Sequence, residues 1–335
     1  MSKNLIIFEY YKTINKMNPK ILIIGACGQI GSELTHKLRS IHGKENVIAS
    51  DISYNNLDVV NSGVFEILDA QDYTSVKICI DKHRINTVYL MAAMLSATGE
   101  KYPMKAWNLN MDSLFHVLNL AKEGFIKKLF WPSSIAVFGP TTPKENTPQY
   151  TIMEPSTVYG MTKQVGERWC EYYNKQYNVD VRSVRYPGII SWKTMPGGGT
   201  TDYAVEIYHK AIEDNKYECF LTKETELPMM FMDDAIKATI DIMDAKPETL
   251  KIRSSYNLSA ISFTPEDITE SIQKHLPDFK ISYKPDFRQK IADTWPNSID
   301  DSRAREDWNW KHSFSLDDIT KEMLTNLKQL KEETA

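Results

Sequence analysis

A glycine-rich turn at residues 25–31, with the sequence GACGQIG, constrains the fold of this chain more than any other segment. It follows an apolar run at 21–24 and precedes an amphipathic stretch at 32–41, so it joins a predicted strand to a predicted helix. In such a turn Gly25 permits the tight bend, Gly28 lets the backbone approach a pyrophosphate, and Gly31 lets the helix pack on its strand. The helix N-terminus then faces the phosphate charge, so the motif predicts a dinucleotide site.

An acidic residue after the next predicted strand narrows the choice of dinucleotide. Residues 46–50 form a second apolar run, and Asp51 follows it about 20 residues past the last glycine. A carboxylate at this place binds a ribose 2′-hydroxyl and repels a 2′-phosphate, so the sequence predicts NAD rather than NADP. An ordinary strand-to-helix turn followed by a surface aspartate is the alternative interpretation.

Charge and cysteine patterns argue against several other classes of protein. The chain has 335 residues and a formal net charge of −4, with acidic and basic residues interleaved, so we expect neither nucleic acid nor a membrane as a partner. The cysteines and histidines are scattered without ligand spacing, so we expect no metal site and no disulfide framework. Scattered thiols favour a reducing compartment, the cytoplasm, with the mitochondrial matrix as the alternative for a eukaryotic source.

Residues 1–18 precede the first predicted strand and are interpreted as an N-terminal extension. They contain three lysines and one glutamate but no arginine, and their apolar stretch at 5–8 is too short for a secretory signal. A weak organelle-targeting segment and an untargeted extension, with Met17 as an alternative start, both stay open.

Strands and helices alternate downstream of the turn. Predicted strands at 64–68, 87–91, 128–131 and 181–186 alternate with predicted helices at 73–83, 106–123 and 158–177. This alternation predicts an α/β fold of Rossmann type, a doubly wound parallel sheet with the cofactor at the carboxyl ends of its strands.

The regular alternation ends near residue 190, which predicts a second lobe. We expect an NAD-binding Rossmann domain at 19–190, to which residues 233–258 return as a helix and a strand. A smaller α/β substrate lobe is expected from 191–232 and 259–335. That lobe ends in a lysine- and glutamate-rich helix at 316–333, which we interpret as a solvated surface helix.

Tyr159 and Lys163 lie four residues apart on a predicted helix and therefore on one face of it. A neighbouring ammonium favours the phenolate, so Tyr159 is a candidate base for a secondary alcohol. Ser134 follows a predicted strand and is placed to donate to the alcohol oxygen. A second such pair, Tyr73 and Lys77, has no serine-bearing strand end before it, and we assign it to a surface helix. A capping serine beside an exposed Tyr–Lys pair is the alternative.

Taken together, these residues resemble the extended short-chain dehydrogenase/reductase family over most of the chain. The resemblance implies that the cofactor is bound by Gly25, Gly28, Gln29, Ile30, Gly31, Asp51, Ile52, Asp69, Ala70, Ala92, Asn110, Tyr159, Lys163 and Ile189. It implies that Ser134, Tyr159 and Lys163 are catalytic, and that Lys163 also bonds the nicotinamide ribose. Asn110 would hold a water in the proton relay; a polar residue on the exposed face of a helix is the alternative.

Five longer segments are similar to the branch of that family whose members oxidise L-threonine with NAD. They lie at 95–100, 132–140, 185–191, 196–204 and 291–302. The resemblance implies oxidation of L-threonine at its hydroxyl-bearing carbon to L-2-amino-3-oxobutanoate. It implies a substrate site made of Ser96, Ser134, Tyr159, Ile189, Gly198 and Thr200.

The glycine run at 197–199 suits a small zwitterionic substrate, because free backbone amides bond a carboxylate and the hydroxyls of Ser96 and Thr200 add donors. A flexible connector is the alternative for this run. Trp295 is interpreted as packing the small lobe rather than closing the pocket. Asp233 is interpreted as a helix N-cap rather than a substrate ligand.

Two other functions stay open at this point. A nucleotide-sugar epimerase or dehydratase would share the fold, NAD and the Ser-Tyr-Lys set, but the compact glycine run and the lack of an evident basic cluster speak against it. A non-catalytic NAD-sensing protein would be expected to have lost part of that set, which is complete here. The resemblance also implies a symmetric homodimer paired through the helices at 106–123 and 158–177.

Overall fold

The computed structural model describes residues 19–195, 197 and 199–334. The expected extension at 1–18 and the expected substrate residue Gly198 lie outside the described residues. The strands are β1 (Ile21–Ile24), β2 (Val47–Asp51), β3 (Phe65–Ile67), β4 (Thr87–Leu90), β5 (Lys128–Phe130), β6 (Ser133–Ser134), β7 (Val181–Arg182), β8 (Val184–Tyr186), β9 (Gly188–Ile190), β10 (Lys216–Cys219), β11 (Leu227–Phe231), β12 (Tyr256–Asn257), β13 (Ile261–Phe263) and β14 (Lys280–Tyr283). The helices are α1 (Gln29–His42), α2 (Leu57–Asn61), α3 (Tyr73–His83), α4 (Ser96–Lys101), α5 (Pro103–Lys122), α6 (Val158–Tyr177), α7 (Tyr203–Asp214), α8 (Met232–Asp244), α9 (Pro265–Gln273), α10 (Phe287–Ala292), α11 (Ser302–Trp308) and α12 (Leu316–Thr334).

The central sheet has six parallel strands in the order β3-β2-β1-β4-β5-β7. All four residues of β1 are buried, as expected for a parallel strand covered by helices on both faces. Helices α1 and α8 contribute to the core on one side, and α3, α5 and α6 contribute to the core on the other. The predicted α/β fold with a doubly wound parallel sheet is confirmed.

Helix α1 begins three residues earlier than the periodicity predicts. Gly28 has extended backbone and serves as its N-cap, and the Ser32 N–H donates to the Gly28 carbonyl oxygen at 2.9 Å. The first turn of α1 therefore lies inside the glycine motif, and its free amides are at the carboxyl edge of the sheet.

The prediction of one strand at 181–186 is wrong, because the chain changes sheets in its middle. β7 pairs with β5 in the main sheet, whereas β8 lies between β6 and β12 in a separate three-stranded sheet. In this small sheet Ser133 is opposite Arg185, and Ser134 is opposite Tyr186. The switch places the Ser133–Ser134 strand beside the strand that leads into β9.

A third hydrophobic core lies among β9, β11, α7, α9 and α12. The expectation that the C-terminal helix is a solvated surface helix is wrong, because Ile319, Met323, Leu324 and Leu327 are buried in this core. Their spacing gives α12 one apolar stripe among its charges. The segment that precedes α12 packs elsewhere: α11 and Trp310 belong to the core that contains α1 and α8. In the part of the chain that is described, no helix is long and apolar enough to cross a membrane.

Candidate active site

The glycine turn requires glycine at two of its positions. Gly25 has φ +89°, and its N–H and that of Ala26 each donate to the Ser50 carbonyl oxygen at 2.9 Å. A Cβ on Gly25 would overlap the backbone of Ala92, and a Cβ on Gly31 would overlap the carbonyl oxygen of Gly25. At Gly28 a Cβ would make only an ordinary contact, 3.5 Å from the Gly25 oxygen. The fold does not need glycine at Gly28, so its bare backbone suits a close-lying pyrophosphate.

Asp51 is the last residue of β2 and is held against the turn. The Cys27 N–H donates to its Oδ2 at 2.9 Å, and the Ile52 N–H donates to its Oδ1 at 2.8 Å. A cavity of about 260 Å³ lies beside it. Its lining includes the predicted cofactor residues Gly25, Gly28, Asp51, Ile52, Asp69, Ala70 and Ala92.

A second cavity of about 250 Å³ shares Gly25, Gly28, Met91 and Ala93 with the first, so the two adjoin at the glycine turn. It brings together the turn and most of the predicted catalytic and substrate residues. Its lining includes Gly28, Gln29, Ile30, Gly31, Ser96, Ser134, Tyr159, Lys163, Ile189, Thr200 and Trp295. An extended dinucleotide fits this arrangement, with one end near Asp51 and the other near Tyr159.

Helix α6 presents Tyr159 and Lys163 to the end of the fifth strand. Thr157 caps the helix, since its hydroxyl oxygen accepts the Gly160 N–H at 3.0 Å. The Lys163 Nζ donates to the Pro132 carbonyl oxygen at 2.6 Å, and the Ser134 hydroxyl lies close enough to Tyr159 to act on its pKa. The predicted Ser-Tyr-Lys set is therefore assembled in one place.

The electrostatics of this set differ from the sequence expectation that Lys163 makes Tyr159 more acidic. Burial raises the pKa of Tyr159 to about 12, although the nearby Ser134 hydroxyl acts in the opposite direction. Burial also lowers the pKa of Lys163 to about 7. The Lys163 Nζ lies 5.5 Å from the centroid of the Tyr159 ring and is bonded to Pro132. In this geometry desolvation outweighs the attraction between the two groups.

Asn110 is buried in α5 rather than on its exposed face. Its Oδ1 accepts the Met94 N–H at 2.8 Å, and its Nδ2 donates to the Met94 carbonyl oxygen at 3.2 Å and to Thr162 Oγ1 at 3.1 Å. The side chain thus joins the loop after β4 to helix α6. Its part in a water relay stays a prediction.

On the substrate side, the expectation of free backbone amides in the glycine run is wrong for Gly199. The Gly199 N–H donates to Asp202 Oδ2 at 2.7 Å, so this amide is already used. Asp202 lines the cavity and had no role in the sequence interpretation, although it lies only three residues from Gly199. Ser96 and Thr200 are both buried at the cavity.

Two further expectations are refined by the structure. Trp295 is 7% exposed, belongs to the third core and also lines the cavity, so the one side chain both packs the small lobe and bounds the pocket. Asp233 is the second residue of α8, whose N-cap is Phe231, so the N-cap interpretation of Asp233 is wrong. Among residues 19–195, 197 and 199–334, no group of three or more His, Cys, Asp or Glu is arranged to hold a metal ion.

The sequence profile of the NAD dependent epimerase/dehydratase family matches residues 21–258. This span covers the glycine turn, Asp51 and the Ser-Tyr-Lys set. The chain belongs to the NAD dependent epimerase/dehydratase family. Membership confirms the predicted family resemblance and NAD as the cofactor. It also confirms that the protein is an NAD-dependent enzyme.

Individual proteins resemble nearly the whole chain. An uncharacterized epimerase/dehydratase of Staphylococcus saprophyticus is 49% identical over 91% of this chain and 96% of its own. The holo form of a GalE-like L-threonine dehydrogenase from Cupriavidus necator is 54% identical, with a TM-score of 0.90, over 92% of this chain and 100% of its own. A structure described as a monomeric L-threonine 3-dehydrogenase from a metagenome, apo form, is 50% identical, with a TM-score of 0.88, over 92% of this chain and 99% of its own.

Proposed function

We propose that the protein oxidises L-threonine at its hydroxyl-bearing carbon and forms L-2-amino-3-oxobutanoate. The observation that carries the proposal is the single cavity lined by the glycine turn, Ser134, Tyr159, Ser96 and Thr200. Solved structures with about half of their residues identical are described as L-threonine dehydrogenases, which supports the same substrate. When bound, NAD supplies the hydride acceptor.

Three side chains of this chain would carry out the proton chemistry. The Tyr159 oxygen takes the proton of the threonine hydroxyl as the hydride leaves the carbon that bears it. The Ser134 hydroxyl donates to the same substrate oxygen and orients it towards Tyr159. Because burial raises the pKa of Tyr159 to about 12, its phenolate needs a cation nearby. Lys163 lines the same cavity and supplies that charge while it is protonated, with its own pKa lowered to about 7.

The size and lining of the cavity favour an amino acid over a nucleotide sugar. About 250 Å³ is below the usual range of roughly 300–1,000 Å³ for ligand pockets. Buried Ser96 and Thr200 offer hydroxyl donors to a carboxylate, and the Trp295 ring bounds the same space. A nucleotide-sugar epimerase would need room for a nucleoside diphosphate beyond the reacting sugar, so it is the second candidate. A non-catalytic NAD sensor has no need for the assembled Ser-Tyr-Lys set.

Initial rates of NADH formation test the proposal directly. The purified protein is supplied with NAD and, in separate reactions, L-threonine, L-allo-threonine, L-serine or UDP-glucose. The proposal expects the highest kcat/KM with L-threonine. No NADH with L-threonine, or interconversion of UDP-sugars, contradicts it. NAD binding without turnover of any substrate would favour the sensor.

We also propose that the protein forms a homodimer. Helices α5 and α6 expose the large apolar side chains Met104, Trp107, Trp169, Tyr172 and Tyr177, which a second copy would cover. The metagenome relative is described as monomeric, so size-exclusion chromatography with light scattering is the deciding measurement. A mass of one chain contradicts the dimer.

We also propose that two sets of residues form separate cofactor-binding and substrate-binding parts. Residues 19–190 with 233–258 would bind NAD, and residues 191–232 with 259–335 would form the substrate lobe. Limited proteolysis with and without NAD tests this division, since the cofactor should protect the first set of residues more strongly.

The free cysteines Cys27, Cys79, Cys170 and Cys219 support a reducing compartment such as the cytoplasm. Fractionation of source cells tests that placement.

A further inference from the structure

A buried ion pair lies directly behind the Ser-Tyr-Lys set. Glu167 is on α6 one turn after Lys163 and is fully buried, and Arg185 on β8 is 2% exposed. The Arg185 Nε donates to Glu167 Oε1 at 2.8 Å, and its Nη2 donates to Glu167 Oε2 at 2.7 Å. Burying two charges is costly, and such a pair is weak evidence for stability by itself. Its other contacts therefore indicate what it does.

Glu167 accepts a third hydrogen bond, from a residue outside the ion pair. The Ser133 hydroxyl donates to Glu167 Oε1 at 2.7 Å, and Ser133 directly precedes Ser134. Together with the Lys163 bond to Pro132 and the closeness of Ser134 to the Tyr159 side chain, this makes a regular pattern. Residues 159, 163 and 167 of α6, at intervals of four, contact the consecutive residues 134, 132 and 133 of the strand end.

Arg185 extends the same cluster into the neighbouring strands. Its Nη1 donates to Asn257 Oδ1 at 2.9 Å and to the Gln149 carbonyl oxygen at 3.1 Å. Where β8 pairs with β6, Arg185 is opposite Ser133. The next residue, Tyr186, lines the cavity that contains Tyr159. The pair thus joins α6 to β6, β8 and β12, while the charge of Glu167 also opposes the burial that lowers the pKa of Lys163.

We propose that Glu167, paired with Arg185, is a positioning residue for the reaction: it holds Ser133 and thereby sets Ser134 at the correct distance from Tyr159 and Lys163. The inference rests on the proposed function, because it takes Ser134 as the group that orients the substrate oxygen. A displacement of about 1 Å in such a group is enough to lower turnover by about a hundredfold.

The decisive variant is Ser133→Ala, which leaves the Glu167–Arg185 pair intact and removes only its link to the strand. Ser183→Ala is the matched control, because Ser183 is also buried and its hydroxyl donates to Ser255 Oγ at 2.9 Å away from the cavity. We expect the two variants to lose similar stability. Ser133→Ala should lower kcat by about tenfold to a hundredfold with KM and the Kd for NAD within about twofold, and Ser183→Ala should keep kcat. Equal kcat values for the two variants overturn the proposal.

A crystal structure of Ser133→Ala gives a readout that does not depend on turnover. The proposal expects Ser134 Oγ to move away from Tyr159 Oη, and an unmoved Ser134 overturns it even if the wild-type protein proves inactive on L-threonine. Absence of wild-type activity contradicts only the proposed function. Glu167→Gln adds a second test: in the folded variant, further substitution of Ser133 should cost little more, whereas additive losses in kcat overturn the proposal.

Discussion

The ammonium group of Lys163 donates a 2.6 Å hydrogen bond to the carbonyl oxygen of Pro132. Pro132 directly precedes β6, so this bond ties α6 to the strand that carries Ser134. The group is also within 4.6 Å of the Trp131 ring centroid and is 2% exposed. Burial lowers the pKa of Lys163 to about 7, because the charged form loses its hydration. This lowered pKa makes the free energy of unfolding depend on pH in a defined direction.

Lys163→Met should flatten the pH dependence of the free energy of unfolding. The pKa of Lys163 is about 7 in the folded chain and has the ordinary value of 10.5 in the unfolded chain. Between these values the unfolded chain binds the proton and the folded chain does not, so the contribution to stability rises with pH. Below about pH 7 both states are charged and the contribution has no slope.

Urea unfolding followed by tryptophan fluorescence from about pH 6 to about pH 9 measures this slope. Lys175→Met is the control, because Lys175 is exposed on the same helix and pairs with Glu171. We expect the control to follow the wild type. Parallel curves for Lys163→Met and the wild type would contradict the role of burial at Lys163.

Tyr159→Phe should lower kcat for L-threonine by about 10² to 10⁴, the usual range for loss of a general base. The phenyl ring keeps its packing, so the Kd for NAD should change by less than about threefold. Tyr73→Phe is a matched control, since Tyr73 begins the second Tyr-x-x-x-Lys segment but its hydroxyl bonds the exposed Glu123. Unchanged turnover in Tyr159→Phe would exclude Tyr159 as the base.

Gly28→Ala and Gly31→Ala should separate cofactor affinity from stability. The Cβ of Gly31→Ala overlaps the Gly25 carbonyl oxygen, so that variant should lose several °C in Tm or fail to fold. The Cβ of Gly28→Ala has room at 3.5 Å, so its Tm should stay close to the wild-type value. Because the same Cβ stands where the pyrophosphate approaches, the Kd for NAD should rise at least about tenfold. Calorimetry of both variants measures the Tm and the Kd for NAD. Normal NAD affinity in Gly28→Ala would count against the pyrophosphate site.

The parts of the fold that were predicted from sequence are those in which short-range pattern decides the structure. The periodicity at 73–83 and 158–177 gives α3 and α6 with the predicted bounds, because each helix keeps one apolar face and has a clear start. The Ser-Tyr-Lys set was found because Tyr159 and Lys163 share one helix face and Ser134 ends a strand. Their cavity follows from parallel topology, which collects strand ends at one edge.

The remaining features depend on partners that are distant in sequence. The break between β7 and β8 comes from the choice of two different neighbouring strands, which the local run at 181–186 does not encode. Glu167 was missed because only its spacing from Lys163 marks it, while Ser133 and Arg185 are 34 and 18 residues away. The burial of α12 was missed because its charges obscure a narrow apolar stripe. The strands of the second lobe have only three to five residues, so even the alternation of buried and exposed residues in β10 is too short to be distinctive in the sequence.

Asp51→Asn should relax the preference for NAD over NADP. The carboxylate is fixed by the N–H groups of Cys27 and Ile52, so its charge stays at the end of β2. A 2′-phosphate placed there meets a like charge, and removing that charge should raise kcat/KM with NADP relative to NAD by at least about tenfold. The amide of Asp51→Asn has one oxygen instead of two, so it accepts one of the two backbone N–H groups less well. The Kd for NAD should therefore rise. Asp58→Asn is the control, since Asp58 is exposed and pairs with His36. An unchanged ratio of the two kcat/KM values in Asp51→Asn would show that Asp51 does not select the cofactor.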